Sequence, residues 1–128
     1  MRKILIVGGV AGGATAAARL RRLNEEDKII LFERDEYISF ANCGLPYYIG
    51  GVIKQHDKLI VQTVEAMSER FNLDIRPFNE VVGIDKNAKT VTVRNTQTNT
   101  SYVESYDVLI LSPGAKPIQP PIRGIEEA

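Results

Sequence analysis

Three groups of residues in this chain have the types and spacing to do chemistry. The first surrounds the single cysteine, in the run Ser39-Phe40-Ala41-Asn42-Cys43-Gly44-Leu45-Pro46-Tyr47-Tyr48. A lone cysteine is often only a small buried hydrophobe. Here a polar loop precedes it, and Pro46 suits the first turn of a short helix from Cys43 to about Ile49, closed by Gly50-Gly51. The partial positive charge at a helix start favours thiolate over thiol. Ser39 and Asn42 can hydrogen-bond a sulfur or a bound substrate, and Gly44 leaves room for a flat ring. The second group is Gly8-Gly9-Val10-Ala11-Gly12-Gly13, with Glu33 about twenty residues further on. A pyrophosphate needs backbone N–H groups at a helix N-terminus and nothing bulky in the way. Gly8 is expected to make the tight turn and Gly13 to let the helix pack close to the strand. Glu33 is placed to accept from the ribose hydroxyls of an adenosine. Val10 stands where G-x-G-x-x-G has its middle glycine, so Gly9 and Gly12 are expected to restore the clearance. The alternative is a glycine-rich turn that binds nothing. The third group is Arg19 and Arg22, near enough on a helix to converge on phosphate. Taken alone, these two arginines read as a solvated basic face.

The elements that must position these groups are legible from hydrophobic patterning. Ile4-Leu5-Ile6-Val7 and Ile29-Ile30-Leu31-Phe32 are continuous apolar runs, as in parallel strands buried on both faces. Between them Gly13, Ala16, Ala17, Leu20 and Leu23 recur at helical spacing. Thr63 looks like the N-cap of a helix to about Phe71, with Val64, Met67 and Phe71 on one face. Leu73 to Arg76, Glu80 to Asp85, Thr90 to Asn95 and Ser101 to Tyr106 read as short strands, joined by turns at Lys86-Asn87-Ala88-Lys89 and Thr96-Gln97-Thr98-Asn99. Val108-Leu109-Ile110-Leu111 returns to the parallel sheet. Ser112-Pro113-Gly114 then turns at that strand's carboxyl end, where ligands of open α/β sheets sit. The expected fold is therefore α/β: a Rossmann-like dinucleotide-binding domain, with a small antiparallel insertion over about residues 73–106. Pro117, Pro120 and Pro121 make a stiff exit, so the chain is expected to be one domain cut from a longer protein.

Composition narrows the partners. The chain has 128 residues, 16 of them basic and 16 acidic. This balance argues against nucleic acid and against a polybasic membrane contact. No run approaches the roughly 20 apolar residues of a membrane span, and the apolar run after Arg2 and Lys3 is too short for a signal peptide. One cysteine permits no internal disulfide, so a reducing, cytoplasmic setting is expected. His56, in Lys54-Gln55-His56-Asp57-Lys58, reads as a surface residue, and no His/Cys/Asp/Glu set has metal-ligand spacing. The length suits one domain but is short for an enzyme holding a dinucleotide, a second substrate and a reaction centre.

The glycine stretch, Glu33, the S-F-x-N-C-G-x-P-Y-Y segment and the final Y-D-x-L-x-x-S-P-G resemble the N-terminal part of the coenzyme A-disulfide reductases. These belong to the single-cysteine branch of the flavin- and pyridine-nucleotide-dependent disulfide reductases. The resemblance runs from about Lys3 to Pro117, and the cysteine segment is its most specific part. It implies that Gly8, Gly9, Val10, Ala11, Gly12, Gly13 and Glu33, with Arg34 beside them, hold the adenosine and pyrophosphate of FAD. It implies backbone contacts to adenine at Val82, and places Ser112 and Gly114 near the pyrophosphate and ribityl chain. Cys43 would be the redox nucleophile, alternating between thiol and a mixed disulfide with coenzyme A. Thr15, Arg19, Arg22, Ser39 and Asn42 match substrate-contacting positions. A further basic contact is expected near the end of the second long helix, where Arg70 suits better than Phe71. NAD(P)H would supply the electrons through a domain absent from this chain, and the full-length form would be a homodimer, so the chain alone is expected not to turn over. NADH oxidases and peroxidases of the same branch, and persulfide or polysulfide reductases, are the nearest alternatives. A non-catalytic adenine-nucleotide module with a structural cysteine is the alternative outside it.

Overall fold

The computed structural model describes residues 1–38, 42–116 and 118–127. Ser39, Phe40, Ala41 and the exit proline Pro117 therefore lie outside the described residues. Strands β1 (Lys3–Val7), β2 (Lys28–Phe32), β3 (Asp74–Arg76) and β7 (Val108–Leu111) form a parallel sheet in the order β3-β2-β1-β7. Strands β4 (Asn79–Asp85), β5 (Thr90–Asn95) and β6 (Thr100–Ser105) form a separate antiparallel sheet.

The continuous apolar runs have a simple geometric cause. Successive side chains of a strand point to opposite faces. In β1, Ile4 and Ile6 face the helices while Leu5 faces the antiparallel sheet. In β2, Ile29 and Leu31 take the helical side, and Ile30 and Phe32 pack on Val91 and Val93 of β5. Both faces are covered, so no polar residue interrupts either strand.

The helices α1 (Ala11–Leu23) and α3 (Val64–Phe71) cover one face. Thr63 Oγ1 accepts from Ala66 N at 3.1 Å, the cap its position predicts. The buried face of α1 departs from expectation. Leu23 is 65% exposed, and the inward position is Arg21, only 8% exposed. Arg21 Nε donates to Phe71 O at 2.8 Å and Nη2 to Asn72 O at 2.9 Å, at the C-terminal end of α3. Its Nη1 donates to Asn24 O and Glu25 O at 3.2 and 2.9 Å. One guanidinium thus satisfies carbonyls that a helix end and a loop leave over. Arg21→Ala is expected to destabilise the domain by about 3 kcal/mol, because those carbonyls lose their donor. The thermal midpoint should drop by about 10 °C, and a midpoint within about 2 °C of wild type would contradict this role.

The antiparallel sheet begins at Asn79. The expected insertion began at Leu73, but residues 74–76 extend the parallel sheet beside β2. A charged cluster fastens the two sheets. Arg76 of β3 bonds Asp74 at 2.8 Å and Glu104 of β6 at 3.1 Å, and its guanidinium stacks over Phe32 and Tyr102. Lys3 Nζ also donates to Glu104. Burial disfavours the ionised form of Glu104, but the bonds from Lys3 and Arg76 outweigh it and hold this carboxyl below its ordinary value of 4.5. A carboxylate depressed in this way contributes stability above its unfolded pKa and loses it as pH falls through the folded one. Thermal melts should therefore show a midpoint that declines as pH drops below 4.5, with a shallower decline in Glu104→Gln. Identical pH profiles for the two proteins would remove Glu104 from the account.

Candidate functional site

At the carboxyl ends of β1, β2 and β7 lies a cavity of about 650 Å³, within the range of small-molecule sites. Its wall includes Gly8 and Val10 from the turn after β1, Glu33 and Arg34 after β2, and Ser112 and Gly114 after β7. Six of the residues expected around a dinucleotide therefore line one space.

The turn after β1 is shaped by contact rather than by composition. Gly8 has φ +98°, and a Cβ there would lie 1.9 Å from the carbonyl oxygen of Ser112. Gly8 N donates to Phe32 O at 2.8 Å, and Ser112 Oγ donates to Val7 O at 3.1 Å, so the three strand ends are stitched together. A Cβ on Gly13 would fall 1.6 Å from Gly8 O. The helix start is pressed directly onto the turn, as the glycine spacing predicts. Val10, the N-cap residue of α1, makes no side-chain cap bond, and the first turn holds no acid. The arrangement leaves a helix N-terminus fit for an anion.

Gly9 and Gly12 have different surroundings. A Cβ on Gly9 would strike Ile38 and Leu31 at 2.6 and 2.9 Å, so its smallness serves the core. On Gly12 it would meet only the Ser112 side chain, Cβ at an ordinary 3.4 Å and Oγ at 4.0 Å. Ala11 lies exposed on the first turn of α1.

Glu33 is 6% exposed. Its Oε1 accepts from Gly9 N at 3.1 Å and its Oε2 from Asp35 N at 2.8 Å. Both bonds hold the carboxylate at the cavity wall, and each oxygen keeps a further lone pair for a hydroxyl. Val82 sits at a β-bulge, where pairing passes from Val81↔Val93 to Gly83↔Thr92 and skips it. Its neighbours Glu80 and Val81 line the cavity.

Cys43 is exposed, in a 3-10 turn (Asn42–Gly44) that runs into α2 (Leu45–Ile49) with Pro46 in its first turn. A thiol sealed in packed hydrocarbon would have ended the redox reading, and this one is open. Asn42 shares the turn. Thr15, Arg19 and Arg22 are all exposed on α1. The Arg22 and Arg70 guanidinium carbons lie 5.7 and 5.3 Å from the Phe71 ring centroid. Arg70 thus joins the Arg22 end of α1 through Phe71.

Sequence reasoning missed part of the cavity wall. Tyr37, His56, Asn79 and Glu80 line it as well. His56 is exposed, as expected of a surface residue, yet it faces this space. Its polar sequence neighbourhood carries no signal of that placement.

A parallel sheet whose carboxyl edge carries a glycine turn, an uncapped helix start and a buried acid defines a dinucleotide-binding α/β protein. The chain belongs to the pyridine nucleotide-disulphide oxidoreductase family, whose model matches residues 2–128. It is 51% identical over 115 residues to the coenzyme A disulfide reductase of Staphylococcus epidermidis, covering 90% of this chain and 26% of that protein. It superimposes on the crystal structure of reduced Bacillus anthracis CoADR-RHD with a TM-score of 0.93 and 72% identity, covering 99% of this chain and 23% of that one. A NAD-dependent persulfide reductase from A. fulgidus matches at 34% identity and a TM-score of 0.89, over 97% of this chain and 23% of its own. The chain thus spans about a quarter of the length of these relatives.

Proposed function

We propose that residues 1–128 are the N-terminal FAD-binding domain of an NAD(P)H-dependent disulfide oxidoreductase acting on coenzyme A disulfide through Cys43. In this reading the NAD(P)-binding and dimerisation domains lie outside the chain, and the protein is a cytoplasmic homodimer. The observation that carries it is the exposed Cys43, in a chain of which 99% matches part of the Bacillus anthracis protein. The cavity offers what the cofactor needs: a bare helix start for the pyrophosphate, Glu33 for the ribose, and Ser112 and Gly114 in the same wall. FAD, when bound, would relay reducing equivalents from NAD(P)H to the disulfide.

The chain's own residues account for the rest. Cys43 thiolate attacks one sulfur of coenzyme A disulfide. The substrate S–S bond breaks, a Cys43–coenzyme A mixed disulfide forms, and one coenzyme A thiolate leaves to be protonated by water. Two electrons, supplied by NAD(P)H by way of FAD, and two protons from solvent would then cleave the mixed disulfide, returning the Cys43 thiol and a second coenzyme A. Thr15, Arg19 and Arg22 would contact coenzyme A from α1, and Asn42, with Ser39, beside the reacting sulfur. Arg70 would add charge beside Arg22.

A chimera tests this, with the chain replacing its counterpart in the Bacillus anthracis relative. It should be yellow with FAD and should oxidise NADH or NADPH only when coenzyme A disulfide is supplied, releasing two thiols per nicotinamide. Nicotinamide oxidation that needs only dioxygen would favour the oxidase reading. A colourless, folded chimera would overturn the FAD assignment.

A further inference from the structure

The turn His56–Leu59 touches both halves of the site, the cavity and the cysteine turn. Its far end supports the cysteine. Leu59 is buried, and a Cβ on Gly44 would come within 2.7 Å of Leu59 Cδ2, so the turn carrying Cys43 lies flat on this side chain. Its near end supports the cavity wall. The His56 ring lies 5.6 Å from the Tyr37 ring and 5.6 Å from the Tyr48 ring, tilted to the first and edge-on to the second. These separations are those of attractive aromatic pairs. Tyr37 and His56 line the cavity, whereas Tyr48 belongs to α2, which continues directly from the cysteine turn.

We propose that His56 is a positioning residue that couples the two: a dinucleotide lying in the cavity against Tyr37 and His56 sets the position of α2, and with it the accessibility of Cys43. This rests on the cavity's being the FAD site. The coupling needs no charge on His56. It needs a ring that touches a cavity-lining tyrosine on one side and the cysteine helix on the other. The exposed setting of His56 means that its loss leaves the core intact.

The test uses the purified chain and reads Cys43 alkylation by iodoacetamide, with and without millimolar FAD, while FAD fluorescence reports binding. In wild type, saturating FAD should change the alkylation rate at least threefold. In His56→Ala the change should shrink below 1.5-fold at saturation, and His56→Phe, which keeps the ring, should restore it. Thermal midpoints should stay equal across the three proteins. FAD binding to wild type with no change in alkylation, or an undiminished change in His56→Ala, overturns the coupling and leaves the FAD assignment standing. Failure of the wild-type chain to bind FAD overturns the coupling as a property of this chain, and the chimera decides the FAD assignment separately.

Discussion

Gly13→Ala is expected to leave the chain unfolded or to lower its thermal midpoint by more than about 15 °C, while Gly12→Ala, one residue away, has little effect. The two substitutions add the same methyl group to the same helical turn. On Gly13 it would sit 1.6 Å from the carbonyl oxygen of Gly8. That oxygen belongs to backbone, and the turn is held by Gly8 N to Phe32 O and by Ser112 N to Val7 O, each at 2.8 Å. Relief would require α1 to move off the sheet, opening the cluster of Ile4, Ile6, Ala14 and Ala17. The expected cost exceeds about 4 kcal/mol, beyond the range of ordinary substitutions. On Gly12 the methyl would touch only the Ser112 side chain, at 3.4 Å to Cβ and 4.0 Å to Oγ. Replacing glycine by alanine in a helix should then be neutral or gain about 0.5 kcal/mol. Circular dichroism melts of the two variants decide the matter. Equal stability would mean that α1 does not rest on the turn, and the cavity geometry would fall with it.

The second large effect concerns Cys43. Wild-type chain incubated with coenzyme A disulfide should gain one coenzyme A per chain by intact mass, and the adduct should vanish with dithiothreitol. Cys43→Ser should form none, since a serine hydroxyl is not ionised near neutral pH and cannot form the mixed disulfide. The residue is exposed, so the substitution should not disturb folding. A double variant, Arg19→Ala with Arg22→Ala, should slow adduct formation about tenfold with coenzyme A disulfide, through loss of charge-assisted phosphate contacts. It should leave the rate with an uncharged small disulfide unchanged. A tenfold loss with both reagents would indicate that the arginines support the fold rather than the substrate. An adduct in Cys43→Ser would sink the nucleophile assignment outright.

Much of the site was already legible in the sequence, for local reasons. Gly8 and Gly13 carry their roles in their spacing, because a strand that turns sharply into a closely packed helix has no room for Cβ at those two points. Thr63 announced α3 because a cap is a contact within one turn. Cys43, at the head of a short helix with Pro46 behind it, was readable for the same reason. The four apolar residues in each of β1 and β2 meant burial on both faces, and the two packed faces bear that out.

What only the tertiary structure decided are the contacts between segments far apart in the chain. Residues 73–76 looked like the start of an antiparallel insertion, yet Asp74–Arg76 joins the open edge of β2. A strand of three residues carries too little pattern to name its partner, and the free edge chose it. Helical periodicity put Leu23 inside α1, but the carbonyls at the end of α3 drew Arg21 there instead. The glycine spacing says nothing of Ile38 and Leu31, which lie against Gly9 and also require it to be small. His56 looked like one polar residue among others, and it stands on the cavity wall between two tyrosines. The division follows from range: caps, turns and strand periods are written within a few residues, whereas the neighbour across a packed face is set by the whole chain's way of closing its core.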